Sequence, residues 1–143
     1  MTPSDTDVDA TVLAQLHQLY ARQSHLIDGG AAEEWARTFT PDGEFCSPSY
    51  PAPVVGAEEL TAFAERFLAA ATAAGEVHRH VITNVDVEPG DRDTLAVRAY
   101  LQIVATVRGG QSRVVRFTTL TDRVVRHDGA WRIARRTVRR DDF

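Results

Sequence analysis

The sequence lacks lysine and has a single cysteine, and each shortage excludes a kind of chemistry. All sixteen basic residues among the 143 are arginine, so catalysis through a lysine Schiff base is excluded. Cys46 has no partner for an internal disulfide, which favours a reducing compartment. No apolar run approaches the roughly 20 residues of a membrane-spanning helix. The first ten residues are polar and acidic, unlike a signal peptide, so we expect a cytoplasmic protein without membrane segments.

A surplus of positive charge is also missing. The formal net charge is −4, and the aromatic residues that would interleave with a basic strand to stack on bases are absent there, so nucleic-acid binding is not expected. Hydrophobic residues make up 43% of the chain and charged residues 25%, as in an ordinary globular protein. We expect one domain over residues 1–143, with residues 1–7 disordered.

The two halves of the chain have different periodicities. The first half has apolar residues at helical spacing, and the second half is rich in alternating Val, Ile and Thr. The predicted turns are at residues 40–43, 89–91, 108–110 and 127–129, and a proline-rich loop at 47–53 covers a pocket or follows a sheet edge. Helices are predicted over residues 8–27, 31–39 and 57–74, and long strands over residues 76–88, 94–107, 111–126 and 130–140. This order predicts an α+β fold, with three N-terminal helices packed in a curved antiparallel sheet around an apolar pocket.

One carboxylate stands out in this pattern. Asp28 follows the apolar pair Leu26-Ile27 and precedes Gly29-Gly30, where the wall of a pocket is expected. Burying a carboxylate costs several kcal/mol unless a partner offsets it, and such groups are often functional. A plainer alternative is that Asp28 accepts hydrogen bonds from backbone N–H groups of the turn. His25, three residues earlier on the helix, is one possible partner.

Four stretches carry a family resemblance across nearly the whole chain. They are residues 26–45, 56–60, 80–84 and 122–133. With these stretches the chain resembles the SnoaL-like branch of the nuclear-transport-factor-2-like superfamily, which also holds scytalone dehydratase and ketosteroid isomerase. The resemblance implies a cone-shaped α+β barrel, a homodimer and a hydrophobic cavity. It says less about activity, because the superfamily includes dehydratases, isomerases, cyclases, dioxygenase small subunits and proteins without any chemistry.

The resemblance also implies site residues. In scytalone dehydratase an aspartate after the first helix and a histidine on the strand after the third helix act together, and Asp28 and His80 match these positions. A carboxylate can orient an imidazole, which takes or gives a proton near neutral pH. The second histidine of that family is missing from residues 100–107, where Tyr100 and Gln102 could supply hydrogen bonds instead.

Two other templates in the superfamily match less well. Ketosteroid isomerase has an aspartate before a proline as its base, and this chain has Ser47-Pro48 there. The polyketide cyclase of the branch uses an aspartate on the last strand, where this chain has residues 136–138 without one. Cyclases of other types remain open.

Further residues are candidates for binding rather than chemistry. Arg116 and Asp122 share one face of a predicted strand, and an inward Arg116 could bind a substrate carboxylate or enolate. The arginines of the last strand are expected on a solvated outer face with pairs to Asp122 or Glu44, or alternatively at a site for an anionic ligand or an acidic partner. They are Arg132, Arg135, Arg136, Arg139 and Arg140. His78 and His80 could share a metal, but no third ligand has suitable spacing, so neither metal nor cofactor is expected. The aromatic candidates for the substrate-binding wall are Trp35, Phe39, Phe63 and Phe67.

Three functional classes are compatible with the sequence. The first is a cofactor-independent acid–base enzyme, a dehydratase, isomerase or cyclase, acting on a hydrophobic oxygenated small molecule such as a polyketide intermediate. The second is a small-molecule binding protein without chemistry, and the third is a structural small subunit of an oxygenase-type complex. A homodimer formed through a sheet face is expected at exposed apolar positions such as Val97, Ala99 and Leu101.

Overall fold

The computed structural model describes residues 8–142. The expected disorder of residues 1–7 lies outside this range. Three helices and six strands follow one another along the chain. They are α1 (Ala10–Asp28), α2 (Ala32–Ala36), β1 (Phe39–Cys46), β2 (Val54–Val55), α3 (Gly56–Ala73), β3 (Glu76–Pro89), β4 (Leu95–Val107), β5 (Ser112–His127) and β6 (Ala130–Arg140).

The six strands form one sheet in the order β2-β1-β6-β5-β4-β3. The prediction of an α+β fold is confirmed, but the sheet is mixed rather than antiparallel, because β1 runs parallel to β6. Helix α3 contacts both β1 and β3, although three strands separate these two in the sheet. The sheet therefore curves around the helices, as in a cone-shaped α+β barrel.

Helix α1 presents one buried stripe to the sheet. Its buried residues, Leu16, Tyr20, Gln23 and Ile27, recur every three or four positions, which places them on one helical face. The Asp9 side chain caps the first turn by accepting from the backbone N–H of Thr11. After the helix, Gly30 has φ +82°, and a Cβ there would lie 3.0 Å from Leu68. Glycine is therefore required for the turn into α2.

The segment after α2 differs most from the sequence prediction. Residues 40–43 are part of β1 and not a free turn, and the pairing of β1 with β6 shifts register between Phe39 and Glu44. Gly43 packs closely inside this irregular stretch, where a Cβ would come within 2.8 Å of Phe39. Local turn composition is thus overridden by pairing with β6, whose partner residues lie 91 to 94 positions further along the sequence.

The faces of β4 alternate cleanly. Leu95, Val97, Ala99, Leu101 and Ile103 point into the core, and the even-numbered residues point to the outer face. Val97, Ala99 and Leu101 are at most 8% exposed, so the prediction that these residues form an exposed dimer face is wrong. Four of the exposed apolar residues lie on the opposite side of the same sheet. They are Val81, Tyr100, Val114 and Phe117, which we name the outer-face patch.

The helices do not have membrane-spanning character. Within residues 8–142, none of them is long and apolar enough to cross a bilayer.

Candidate functional site

The structure brings Asp28 and His80 into direct contact. Oδ1 of Asp28 lies 2.7 Å from Nδ1 of His80, and both carboxylate oxygens lie 3.1 Å from the backbone N–H of His80. The two side chains are only 9% and 11% exposed. His25 is exposed on α1 and does not contact this carboxylate, so the partner of Asp28 is His80.

The position of Asp28 is not one that helix stability favours. It is the last residue of α1, at the negative end of the helix dipole, where a carboxylate destabilises the helix. The N–H donors of His80, supplied by β3, offset this cost. The turn donors predicted as an alternative are not used by the carboxylate, since the N–H groups of Gly29 and Gly30 bond to backbone carbonyls of α1.

The contact defines which ring nitrogen of His80 carries the proton. An ionised Asp28 is only an acceptor, so Nδ1 of a neutral His80 must donate to it and carries the hydrogen. The other nitrogen, Nε2, then has a free lone pair. Within residues 8–142 no group hydrogen-bonds to Nε2, and His80 lines an internal pocket. The geometry suits Nε2 for accepting a proton from a molecule in that pocket.

The pocket lies between α1, α3 and the concave face of the sheet. The space that a water-sized molecule can occupy is about 50 Å³, within about 570 Å³ of atom-free volume that includes space open to solvent. A ligand of several rings would therefore have to move side chains on binding. Its apolar lining residues are Ile27, Trp35, Phe45, Tyr50, Phe63, Phe67, Ile82, Ile103 and Val138.

Aromatic rings form one wall of this pocket. Phe63 stacks 5.9 Å from Trp35 and lies 4.9 Å from Phe45 and 5.1 Å from Tyr50, between ring centroids. Phe67 lies 4.8 Å from the His80 ring. Trp35, Phe63 and Phe67 are thus placed on the pocket wall, as the sequence predicted. Phe39 is 1% exposed and is a core residue that does not line the pocket.

A second polar group faces His80 across the sheet. His80 pairs with Ile103 on β4, and Ile103 pairs with Arg116 on β5, so these residues form one row. All three line the pocket. With neighbouring strands 4.7–4.9 Å apart, the Cα atoms of His80 and Arg116 are roughly 10 Å apart. A small molecule lying over Ile103 would have the imidazole at one end and the guanidinium at the other.

The loop at residues 47–53 covers this part of the pocket. Ser47, Ser49 and Tyr50 line the cavity, as predicted for a loop over a pocket. Nη1 of Arg116 donates to the Tyr50 hydroxyl at 3.3 Å, and Nη1 of Arg140 donates to Oγ of Ser49 at 3.3 Å. Within residues 8–142, no carboxylate lies within ion-pair distance of Arg116. The pKa of the Asp142 carboxyl is lowered mainly by its hydrogen bond to Arg140 and to a smaller extent by the charge of Arg116. Arg116 thus has a counter-charge nearby but no direct ion pair among the described residues, and its N–H donors can bind a ligand.

The sequence predicted a pair between Asp122 and an arginine of the last strand, but not the buried polar network that surrounds this pair. Arg136 donates from Nε and Nη2 to the carboxylate of Asp122 at 2.9–3.2 Å, and from Nη2 to Gln23 at 2.9 Å. The Tyr20 hydroxyl also donates to Asp122. Gln23 and Arg136 line the pocket. Gln23 could have been identified from the sequence, because it is a polar residue at a position where the helical spacing of α1 predicts a buried side chain.

The prediction that Arg136 lies on a solvated outer face is wrong. Its side chain is 4% exposed and that of Asp122 is fully buried. The reason is a shift in the pairing of β5 with β6, where Arg123 pairs with Arg135 but Val124 pairs with Ile133. The extra residue, Ala134, changes which positions face inward. Arg135 does remain outside, 3.8 Å from Glu44, as predicted.

Burial and charge both affect proton affinity in this network. Burial, followed by the Asp122 charge, raises the pKa of Tyr20 well above its usual 10.0. Burial acts to lower the pKa of Arg136, but the Asp122 charge and its hydrogen bonds outweigh that and leave this pKa raised. Tyr20 therefore stays neutral and Arg136 stays charged across the ordinary pH range.

Two predicted pocket residues lie elsewhere. Tyr100 is 44% exposed, and Gln102 shares its face of β4, so both point away from the pocket and the prediction that they line it is wrong. The odd-numbered residues of β4 are the buried ones. Alternation in the sequence shows that residues share a face, but it does not show which face is buried. His78 contacts Glu76 at 3.3 Å. In residues 8–142 no group of three His, Cys, Asp or Glu residues could hold a metal.

Comparisons with known proteins agree with this geometry. A family model described as SnoaL-like domain matches residues 9–137. A structure of Aln2 from a Streptomyces species is 29% identical with a TM-score of 0.84, covering 94% of each chain. A Catenulispora acidiphila protein in complex with S-DNPA is 30% identical with a TM-score of 0.81, covering 94% of this chain and 96% of its own.

The likeness extends to more distant structures. ActVI-ORFA from Streptomyces coelicolor shares the fold at 21% identity, with a TM-score of 0.86 over 94% of this chain and 98% of its own. A search of curated proteins found no significant match.

Proposed function

The chain belongs to the SnoaL-like family, and we propose that it is a cofactor-independent acid–base enzyme of the dehydratase, isomerase or cyclase type. The observation that carries this proposal is the Asp28–His80 contact with Nε2 unpaired beside a pocket. His80 is the proposed general base, and Asp28 is a positioning residue that acts through it. The proposed substrate is a hydrophobic oxygenated small molecule of polyketide type.

The proposed step is removal of a proton from a carbon next to a carbonyl. The C–H proton moves to Nε2 of His80, the electron pair of that bond forms the C=C bond of an enolate, and the carbonyl π pair moves to the oxygen. Arg116, in the same row of the sheet, stabilises the negative oxygen. As the enolate re-forms the carbonyl, a conjugated substrate takes the proton back from the imidazolium at its far carbon, which isomerises it. A β-hydroxy substrate instead breaks its C–O bond, and the imidazolium protonates the departing hydroxyl to water. Neither route needs a cofactor.

Two facts about relatives support the proposed ligand. The SnoaL-like family is related to polyketide cyclases and dehydratases, which supports the polyketide type, and the Catenulispora acidiphila protein holds a small molecule, S-DNPA, which supports small-molecule binding. We propose a role in the biosynthesis of an antibiotic, in the cytoplasm, a compartment that suits the unpaired Cys46.

The test is proton exchange in D₂O. Wild-type protein is incubated with S-DNPA and, as a simple enolisable probe, with 2-tetralone, and deuterium uptake is followed by NMR. We expect His80→Gln to slow uptake by about 10²- to 10⁴-fold, the usual contribution of a general base. Asp28→Asn should also slow deuterium uptake, because the His80 ring would no longer be held in the orientation and tautomer that the carboxylate imposes. His25→Gln is the matched control, since His25 is exposed nearby and does not contact Asp28.

The alternative function is a binding protein without chemistry. It is favoured by one observation, since Asp28 also accepts the backbone N–H of His80 and so ties α1 to β3 whatever the ring does. If S-DNPA binds but neither probe exchanges faster than in buffer, the enzyme proposal fails and this alternative stands. Circular dichroism of each variant shows whether a loss comes from unfolding.

We also propose that the protein is a homodimer formed through the outer-face patch. Val81, Gln102 and Phe117 form one row across β3, β4 and β5, and the Tyr100 ring lies 6.1 Å from that of Phe117. The four apolar side chains of the patch are between 38% and 54% exposed. An exposed apolar strip on one face of a sheet is well suited to packing on a second copy of itself.

A further inference from the structure

The end of the pocket opposite the Asp28–His80 pair contains a buried cation. Asp122, the partner of Arg136, lies six residues along β5 from Arg116, which corresponds to roughly 20 Å of strand. Arg136 is thus not part of the row that holds His80 and Arg116. Tyr20 and Gln23 of α1 contact its network, about one to two helical turns before Asp28.

The hydrogen bonds of Arg136 leave part of its guanidinium unused. A guanidinium has five N–H groups, one on Nε and two on each Nη. Asp122 and Gln23 take the Nε–H and the Nη2–H groups, and the Tyr20 hydroxyl lies close to the guanidinium as well. The two Nη1–H groups are not used by either partner, although the whole residue is only 3% exposed. Since Arg136 borders the pocket, these donors have a cavity beside them.

Within residues 8–142, none of the other groups that line the pocket is a carboxylate that could repel or replace an anionic ligand beside Arg136. Among the described residues no aspartate or glutamate lines the pocket, whose charged and titratable groups are His80, Arg116, Arg136 and Tyr50. Thr118 also lines it, but its hydroxyl already donates to the carbonyl of Leu101 at 3.2 Å. Ser24 also lines the pocket and offers a neutral hydroxyl, so Arg136 is the charged donor for an oxygen at this end.

We propose that Arg136 is an anion-binding residue, which uses Nη1 to hold an enolate or phenolate oxygen of the ligand at the end of the pocket away from His80. Tyr20, Gln23 and Asp122 hold the guanidinium in position. The site prefers an ionised oxygen to a neutral hydroxyl, because charge-assisted hydrogen bonds in a low-dielectric pocket are stronger than neutral ones. The proposal deepens the proposed function by defining the ligand: it has a second acidic oxygen.

The probe is 4-hydroxybenzoate labelled with ¹³C at C4, whose chemical shift reports whether the phenol is ionised. Its carboxylate is directed toward Arg116, the cation at the other end of the pocket, which leaves its phenol on the side of Arg136. We expect the phenol of the bound probe to ionise at least about one pH unit lower than that of the free probe, a tenfold preference for the phenolate. A bound phenol that titrates as in free solution would overturn the proposal.

Variants identify which residue lowers the pH at which the bound phenol ionises. Replacing Arg136 alone would leave Asp122 buried without a partner and could unfold the protein, so the pair is changed together, as Asp122→Asn with Arg136→Gln. The double variant should abolish the shift, whereas Asp122→Asn alone should enlarge it. A shift that survives in the double variant would contradict the role of Arg136. Should these variants fail to fold, Arg116→Gln, which leaves the buried network intact, decides the question: a shift that persists there comes from Arg136, and a shift that disappears contradicts the proposal.

Two controls separate this proposal from the others. Arg123→Gln removes an exposed arginine of the same strand and should leave the shift unchanged. His80→Gln removes the proposed base and should also leave it largely intact. Failure of the enzyme proposal would therefore not affect this result, because the measurement involves no turnover.

Discussion

Asp28 holds His80 twice, by the ring nitrogen Nδ1 at 2.7 Å and by the backbone N–H at 3.1 Å. The two contacts come from different parts of the same residue, so the imidazole is fixed relative to its own strand. Rotation of the ring would break the first contact, and separation of α1 from β3 would break the second. The consequence is that Nε2 is held toward the pocket in one tautomer.

Removing the Tyr20 hydroxyl should lower stability at neutral pH. Tyr20→Phe deletes a buried hydrogen bond to the Asp122 carboxylate, which is worth about 1.5–3 kcal/mol for a bond to a charged group. Urea unfolding at pH 8 measures the change. Tyr100→Phe removes an exposed hydroxyl and is the matched control, for which no comparable loss is expected.

The same substitution should have less effect at high pH. The pKa of Tyr20 is raised in the folded protein by burial and by Asp122, so above pH 10.0 the unfolded chain releases this proton before the folded protein does. The contribution of the hydroxyl to stability is therefore complete below that pH and declines as pH rises above it. The stability gap between wild type and Tyr20→Phe should narrow between pH 9 and 11, and a constant gap would contradict this reasoning.

Arg116 should set the preference of the pocket for anionic ligands. Arg116→Gln removes a pocket cation without an ion-pair partner among the described residues, so affinity for benzoate should fall roughly ten- to a hundred-fold. Affinity for benzyl alcohol, which is neutral and of similar size, should change little. Calorimetry measures both, with Arg123→Gln as the control on the same strand. Equal losses for the two ligands would point to a change of pocket shape instead.

The outer-face patch should decide the oligomeric state. Phe117→Arg places a charge in the patch and should convert the proposed dimer into a monomer, as measured by light scattering after size exclusion. Thr121→Arg, at an exposed position further along β5, should leave the dimer intact. A wild-type protein that is monomeric at high micromolar concentration would refute the proposal.

Much of the fold could be predicted from local sequence patterns. The spacing of Leu16, Tyr20 and Ile27 predicts α1, and the long alternating strands were placed within one or two residues of their ends. The parallel pairing of β1 with β6 could not be predicted in this way. It depends on contacts between distant segments, which turned residues 40–43 from an expected turn into an irregular strand.

The site was predictable where a family pattern named its residues. Asp28 and His80 were identified because they match positions that act together in a relative, and the structure brings them into contact. Arg136 was misplaced because one extra residue in β6 reverses the alternation, a feature that strand periodicity cannot reveal. Tyr100 and Gln102 were misplaced because alternation groups residues by face without telling which face is buried.

The most direct test of the central claim is the tautomer of His80 in the free protein. Nitrogen-15 NMR of ring-labelled histidine at pH 8 distinguishes a protonated Nδ1 from a protonated Nε2. We predict that His80 carries its hydrogen on Nδ1 in the wild type, because Asp28 accepts it, and that Asp28→Asn weakens this preference. Protonation on Nε2 in the wild type would contradict the account, since the nitrogen that faces the pocket would then have no lone pair to accept a proton.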